Sequence, residues 1–245
     1  MTHVLVPVAV LDGETISPGL IEALGGLTVT VLGYHEVPEQ TPPEQAREQF
    51  IDRATEILDN IAAELEAEGA TAYHRMVFTK DLDTSVKRVA AEIESEATLI
   101  VRPTPEVEEI YVAIGSEKQL PVIGAALESL VTTVDADIFL RFFVDEERAT
   151  DESDGERILA QLTDMLTEAG VSPERIDTAV QAKKIAVGPI VADAQGRGVD
   201  LVVLSDSGLS LAEIVFGDIE ERIANQLLAP VLVVRPADTV EQEEE

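Results

Sequence analysis

Residues 199–218 read VDLVVLSDSGLSLAEIVFGD, and residues 230–236 read PVLVVRP. An apolar run of strand length leads into a Ser/Gly loop and a helical pattern, and a second apolar run follows. This succession is typical of a nucleotide-binding α/β unit, which delivers phosphate groups to the N-terminus of a helix. The stretch therefore predicts a parallel sheet flanked by helices, with the loop after residue 204 as a candidate ligand site.

Strand-length apolar runs and helical patterns alternate in two series along the chain. The first series begins at residues 3–8 and ends at the apolar run 97–103, whereas the second begins at residues 109–114 and continues to 231–234. The spacing of the apolar residues predicts helices over 18–24, 41–69, 83–94, 120–131, 156–169 and 188–195. Such alternation calls for parallel sheets with right-handed crossovers and helices on both faces.

We therefore predict an α/β fold made of two Rossmann-like units with parallel sheets flanked by helices. Residues 1–105 form a truncated unit that lacks the final helix and strand, and residues 106–236 form a complete unit. Residues 237–245 end in Glu-Gln-Glu-Glu-Glu, and we expect this acidic tail to be disordered.

The charge of the chain restricts its partners. With 48 acidic and 17 basic side chains the net charge is -31, and such a surface repels both nucleic acid and anionic lipid. Strong self-repulsion is tolerated where salt is concentrated, because the Debye length falls to roughly 3 Å at about 1 M salt. We interpret the chain as a halophile's protein; the alternative is an ordinary acidic protein with a solvated surface.

The absence of two further features narrows the function classes. The chain contains no cysteine, which excludes disulfides, thiolate metal sites and cysteine nucleophiles. It contains neither an apolar run of membrane-spanning length nor the basic start of a signal peptide. We expect a cytoplasmic protein that binds neither nucleic acid nor membrane directly.

Three sets of segments carry a resemblance to a known family. They are Gly217–Ile219, Glu221–Ala224 and 230–236 at the end of the chain; VGPI at 187–190 before VDLVV at 199–203; and, in the first half, 33–47 and 77–81. Over nearly the whole chain, this layout resembles the universal stress proteins in tandem form. The first-half segments resemble a divergent haloarchaeal branch, some of whose members accompany or are fused to amino-acid transporters.

The resemblance implies several properties. It implies an adenine nucleotide alpha hydrolase-like fold, a role in the stress response, and a protein partner such as a transporter. It also implies a homodimer formed through the C-terminal strand 231–234, because the family commonly dimerises through this strand.

Nucleotide-binding members of the family hold phosphate with a Gly-x2-Gly-x9-Gly-Ser/Thr loop, and the chain departs from it. Counting back from Gly217, the earlier glycine positions are occupied by Ser207 and Leu204, and the hydroxyl position by Asp218. The turn after the first strand of this unit, where the family has Asp, reads Ile-Gly-Ser. The degenerate nucleotide site would then consist of Gly115, Ser205, Ser207, Gly208, Gly217 and Asp218.

These departures disfavour ATP for two physical reasons. Leu204 places a side chain where backbone would approach phosphate, and Asp218 adds a negative charge beside a polyanion. At an effective dielectric constant of about 20, two unit charges about 4 Å apart interact by roughly 4 kcal/mol, on the order of a thousandfold in affinity. We predict no cofactor, with ATP binding weak or absent; the alternative is a nucleotide-binding module with a rearranged loop.

A second group of polar residues is expected at the carboxyl edge of the first unit's sheet, where open α/β sheets bind ligands. The group consists of Asp12, Tyr34, His35, Thr79 and Asp81. The alternative for these residues is loop packing and helix capping. His3 and His74 are interpreted as surface or edge residues, and no metal site is predicted.

No catalytic motif is present in the sequence. The chain lacks a Gly-x-Ser-x-Gly elbow with a following histidine, and it lacks a P-loop. We therefore predict that the protein is not an enzyme but a universal-stress-type protein that acts through protein binding or regulation in a halophile's cytoplasm. Two alternatives stay open: a nucleotide-binding stress protein with a rearranged loop, and a regulator of an amino-acid transporter.

Overall fold

The computed structural model describes residues 2–144, 151–181, 187–205 and 228–235, with the side chains of residues 119, 187 and 205 left out. Its strands are β1 (His3–Val8), β2 (Thr28–Glu36), β3 (Thr71–Thr79), β4 (Ala97–Ile100), β5 (Glu109–Ile114), β6 (Asp137–Phe143), β7 (Ile176–Gln181), β8 (Leu201–Ser205) and β9 (Val231–Val234). Its helices are α1 (Pro18–Ala23), α2 (Pro43–Ala67), α3 (Leu82–Glu92), α4 (Leu120–Leu130), α5 (Glu152–Glu168) and α6 (Val187–Arg197). The predicted acidic tail 237–245 lies outside the described residues.

The nine strands form one sheet in the order β3-β2-β1-β4-β9-β8-β5-β6-β7. Neighbouring strands are parallel except at β4 and β9, which are antiparallel. The predicted α/β fold with parallel strands flanked by helices is confirmed, and the sheets expected for the two units are joined into one through the antiparallel pair of β4 and β9. The order β3-β2-β1-β4 is repeated as β7-β6-β5-β8, so the two halves of the chain follow the same path through the sheet. The boundary between residues 105 and 106 stays a prediction.

The last strand corrects one expectation from the sequence. All four residues of β9 pair with β4, from Ala97↔Val234 to Ile100↔Val231, and all four also pair with β8. Residues 101–108, which the structure describes in full, contain no strand, so the outer edge of β4 is free to accept β9. The strand is therefore central, and both of its edges are paired within the chain, so β9 offers no free edge for the homodimer contact that the resemblance implies.

Alternating side chains direct the helices to opposite faces of the sheet. In β1, Val4, Val6 and Val8 pack in a core cluster with α1, α2, α4 and α5, whereas Leu5 packs in a separate cluster with α3. In β5, Tyr111 and Ala113 likewise pack with α6 on the side opposite to the main core. Right-handed crossovers explain this division, because the chain crosses the sheet in the reverse direction between β3 and β4 and between β7 and β8. None of the described helices combines the length and apolar content needed to span a membrane.

Candidate functional site

The predicted nucleotide site is placed only in part. Ser207, Gly208, Gly217 and Asp218 lie outside the described residues. Gly115 directly follows β5 and is buried, while the backbone of Ser205 ends β8. Since β5 and β8 are parallel neighbours, Gly115 and Ser205 lie at the same carboxyl edge, as a shared site requires.

Leu204, at the position where the family has glycine, belongs to the core. It lies within β8, pairs with Ala113 and Val233, and is 3% exposed. Its side chain packs in the cluster formed with α6. The bulk of Leu204 therefore fills the interior at the end of the strand, so this position serves packing in the present chain.

The second predicted group is divided by the sheet. Tyr34 and His35 are consecutive in β2, so their side chains lie on opposite faces. Tyr34 packs against the cluster of α3. His35 makes edge-to-face ring contacts with Phe50 of α2 and Phe78 of β3, with centroid distances of 5.9 and 6.1 Å. The expected polar site of five residues is therefore not assembled as a unit.

Thr79 and Asp81 make the contacts of a helix cap. Asp81 Oδ1 accepts from the backbone N of Thr84 at 3.0 Å, and Asp81 Oδ2 accepts from the Thr84 hydroxyl at 2.7 Å. The bonds from Thr84 hold the pKa of the Asp81 carboxyl below its ordinary value. Thr79 Oγ1 donates to Asp81 O at 2.8 Å and accepts from Ser85 Oγ at 2.8 Å. These contacts favour the capping alternative at the start of α3.

A different set of charged groups acts on the Tyr34 hydroxyl from the carboxyl ends of β1, β2 and β4. Burial raises the pKa of Tyr34 to about 12, and the carboxylates of Glu14, Glu36 and Asp12 add to this shift, whereas Arg102 opposes it. Of these residues, sequence reasoning found Asp12 and Tyr34 and missed Glu14, Glu36 and Arg102. Their positions in the sequence could have indicated two of the missed residues, because Glu14 follows β1 and Arg102 follows β4. Strand order reverses between β1 and β4, which is where open α/β sheets bind ligands.

The loops after β1 and β4 border a crevice at the carboxyl ends of these strands, and hydrogen bonds form within and between the two loops. Glu14 Oε2 accepts from Ala9 N at 2.6 Å, so a carboxylate of the protein already occupies the first amide after β1. Ser17 Oγ accepts from Thr104 N at 3.0 Å and donates to Arg102 O at 3.4 Å, which ties the two loops together. Among the described residues, no group of three acidic or histidine side chains is arranged to hold a metal ion.

An open cavity of about 500 Å³ lies beside these loops, where the two halves of the chain meet. Residues 103–105 form one wall, the end of α6 and residues 198–200 form another, and Leu228 and Ala229 precede β9. Thr104 belongs to both the crevice wall and this cavity. The lining is mostly apolar, and Leu228 is 81% exposed.

An ionic cluster around the buried Arg141, under α6, was not predicted from the sequence. Arg141 of β6 is 1% exposed and forms ion pairs with Asp177 of β7 and, at 3.4 Å, with Asp193 of α6. Arg197 Nε pairs with Asp193 at 3.2 Å. Burial, followed by the Asp193 charge, raises the pKa of Tyr111 beside them. Two arginines and two aspartates balance in charge, so the cluster attaches α6 to the sheet and keeps the buried charge of Arg141 paired.

The fold is similar to several solved structures over the whole chain. A universal stress protein from Archaeoglobus fulgidus is 14% identical with a TM-score of 0.59, and the match covers 96% of this chain and 97% of that one. The cytoplasmic domain of a prokaryotic cation chloride cotransporter is 12% identical with a TM-score of 0.51, covering 97% and 96%. A protein of unknown function from Pseudomonas aeruginosa is 14% identical with a TM-score of 0.50, covering 97% and 94%.

No protein-family model matches the sequence, and no curated protein matches it. The similarity therefore concerns the path of the chain. By its strand order, its helical layers and these likenesses, the protein has the α/β fold of the universal stress proteins.

Proposed function

We propose that this chain is a non-catalytic protein of the universal stress type that acts in a halophile's cytoplasm by binding and regulating a protein partner. The observation that carries the proposal is the bond from Ala9 N to Glu14 Oε2 at 2.6 Å. Open α/β sheets usually bind ligands at this point. In the first half, the backbone amide that could bind an anion there already donates to the carboxylate of Glu14.

The charges around this crevice support the same conclusion. Glu14, Glu36 and Asp12 act together on Tyr34, with Arg102 as the opposing charge. A polyphosphate entering here would meet three carboxylates and one guanidinium, which disfavours its binding. In the second half, phosphate binding is likewise disfavoured by the packing of Leu204 in the core and by the negative charge of Asp218.

Calorimetric titration with ATP and Mg²⁺ in concentrated KCl tests the proposal against the nucleotide-binding alternative. We expect no binding in the micromolar range for the natural chain. The variant Asp218→Ser removes the unfavourable charge from the hydroxyl position, and it should bind ATP more tightly than the natural chain. Micromolar binding by the natural chain that is lost in Gly217→Ala would instead establish the rearranged nucleotide site.

A second candidate function is the regulation of a membrane transporter. It is supported by the likeness to a cotransporter's cytoplasmic domain, which covers nearly all of both chains. In this role the chain would bind the cytoplasmic side of a transport protein rather than lipid, since its net charge of -31 disfavours anionic headgroups.

Sedimentation with membranes distinguishes binding to a transporter from binding to lipid. In concentrated KCl, the tagged chain should sediment with native membranes and should be cross-linked to a transport protein in a fixed ratio. It should not sediment with vesicles made from the extracted lipids. Equal recovery on both kinds of membrane, or on neither, would count against the transporter role.

A further inference from the structure

Strand β9 comes from the second half of the chain and pairs with one strand of each half. Its four residues bond to β4 on one side and to β8 on the other. Its side chains are buried, with Val233 and Val234 both fully inaccessible to solvent. A single short strand therefore completes the sheet of each half.

Contacts outside the ladder join the same two halves. Arg235, directly after β9, donates from its backbone N to Glu96 O at 2.8 Å and from Nη2 to Thr98 Oγ1 at 3.3 Å. On the main core face, Thr133 Oγ1 donates to Ala23 O at 3.1 Å. A Cβ atom on Gly26 would lie only 2.6 Å from Ser129 O, so the two backbones approach closely there. One hydrophobic cluster contains residues from both halves on this face.

We propose that the shared strand β9 couples the two halves into one cooperative folding unit, so that a change of stability in one half is transmitted in full to the other. If β9 left the sheet, β4 and β8 would each expose a row of unpaired backbone groups and an apolar face. The first half has no strand of its own to cover β4, so it depends on the second half for its closed edge. Opening of either half therefore requires the loss of pairing in both.

Amide hydrogen exchange on the full chain in concentrated KCl tests this coupling. The variant Ile190→Ala removes a buried side chain of α6, 1% exposed, from a cluster whose buried members all belong to the second half. We expect exchange from β5 and β6 to accelerate by roughly 30-fold or more, the usual consequence of such a truncation. Under the proposal, exchange from β1 and β2 in the first half accelerates by the same factor.

The reciprocal variant is Val89→Ala in α3. Val89 is 1% exposed and packs in a cluster formed only by first-half residues. It should accelerate exchange in β5 and β6 as much as in β1 and β2. The substitution Glu168→Ala, at an exposed position of α5, serves as the control and should leave both halves unchanged.

Faster exchange confined to the half that carries the substitution would overturn the proposal. If Ile190→Ala fails to fold, Ile190→Val makes the same measurement with a smaller truncation, for which we expect roughly a fivefold acceleration in both halves. Equal factors in the two halves support a single cooperative folding unit, and unequal factors contradict it.

Discussion

Asp200 and Glu109 are joined by two hydrogen bonds at the amino ends of β8 and β5: Asp200 N donates to Glu109 O at 2.9 Å, and Glu109 N donates to Asp200 Oδ2 at 3.0 Å. Glu96 and His3 make the same pair of bonds at the amino ends of β4 and β1, at 2.9 and 3.1 Å. The shared strand order of the two halves thus extends to a carboxylate that caps an equivalent amide. In each half this carboxylate fixes the start of a central strand.

The Asp200 carboxylate is predicted to stabilise the fold. It also accepts from Glu108 N at 3.0 Å, so Asp200→Ala leaves two amides without their partner. We expect the free energy of unfolding to fall by about 1–2 kcal/mol. Urea denaturation in concentrated KCl measures the change. Asp200→Asn keeps an accepting oxygen and should cost less than half as much; an alanine variant as stable as the natural chain would show that the bonds contribute nothing.

Removal of Arg141 is predicted to be strongly destabilising. Arg141→Ala would remove the bonds that the buried guanidinium makes to Asp177 and Asp193, although both aspartates keep Arg197 as a partner. We expect the free energy of unfolding to fall by about 1.5–3 kcal/mol. The matched control is Arg157→Ala, because Arg157 pairs with Glu117 at 2.8 Å on the surface, where such a pair contributes up to about 1 kcal/mol. Chemical denaturation of both variants compares them, and equal losses would contradict the distinction between buried and exposed pairs.

His3 is predicted to make stability depend on pH. Burial lowers the pKa of His3 from its ordinary value of 6.5, although a hydrogen bond to the Ile93 backbone and the charge of Glu96 oppose the shift. The unfolded chain therefore binds this proton more readily than the folded chain. The contribution of His3 to stability is complete above pH 6.5 and is lost as the pH falls through the folded pKa below it.

Comparison of the natural chain with His3→Gln isolates this effect. Thermal unfolding followed across the weakly acidic range should show a shallower decline of stability for the glutamine variant. Parallel curves for the two proteins would mean that His3 has the same pKa folded and unfolded. The same unfolding measurement on a variant with His74 substituted serves as a comparison, because His74 lies near the surface and pairs with Asp59 at 2.9 Å.

Concentrated salt is predicted to be required for the folded state. A net charge of -31 produces repulsion that is largely screened at about 1 M salt and acts over about 10 Å at 0.1 M. We expect the helical circular dichroism signal to decrease as KCl is diluted and to return when KCl is restored. A signal that does not change with KCl concentration would rule out the halophilic interpretation.

Local patterns predicted most of the elements correctly. The helices expected at 83–94 and 188–195 are observed as α3 and α6. The helix expected at 156–169 begins earlier, at Glu152, because Asp151 and Asp154 form a reciprocal capping box ahead of the apolar pattern. Strand β2 continues to Glu36, beyond the end of its apolar run at residue 32, because its pairing with β3 extends through residues that carry no apolar signal.

The composition and periodicity of the sequence by themselves determined the α/β fold class, because strand and helix periods are properties of neighbouring residues. Only the tertiary structure decided which strands meet. Val231–Val234 reads as a strand in any context, but its place between β4 and β8 depends on an edge that belongs to the other half of the chain. Arg141 lies in an apolar run, and only register and helix placement bring Asp177 and Asp193 to it. The crevice around Tyr34 has the same cause, since Glu14, Glu36 and Arg102 come from separate segments that meet only when parallel strands align their carboxyl ends.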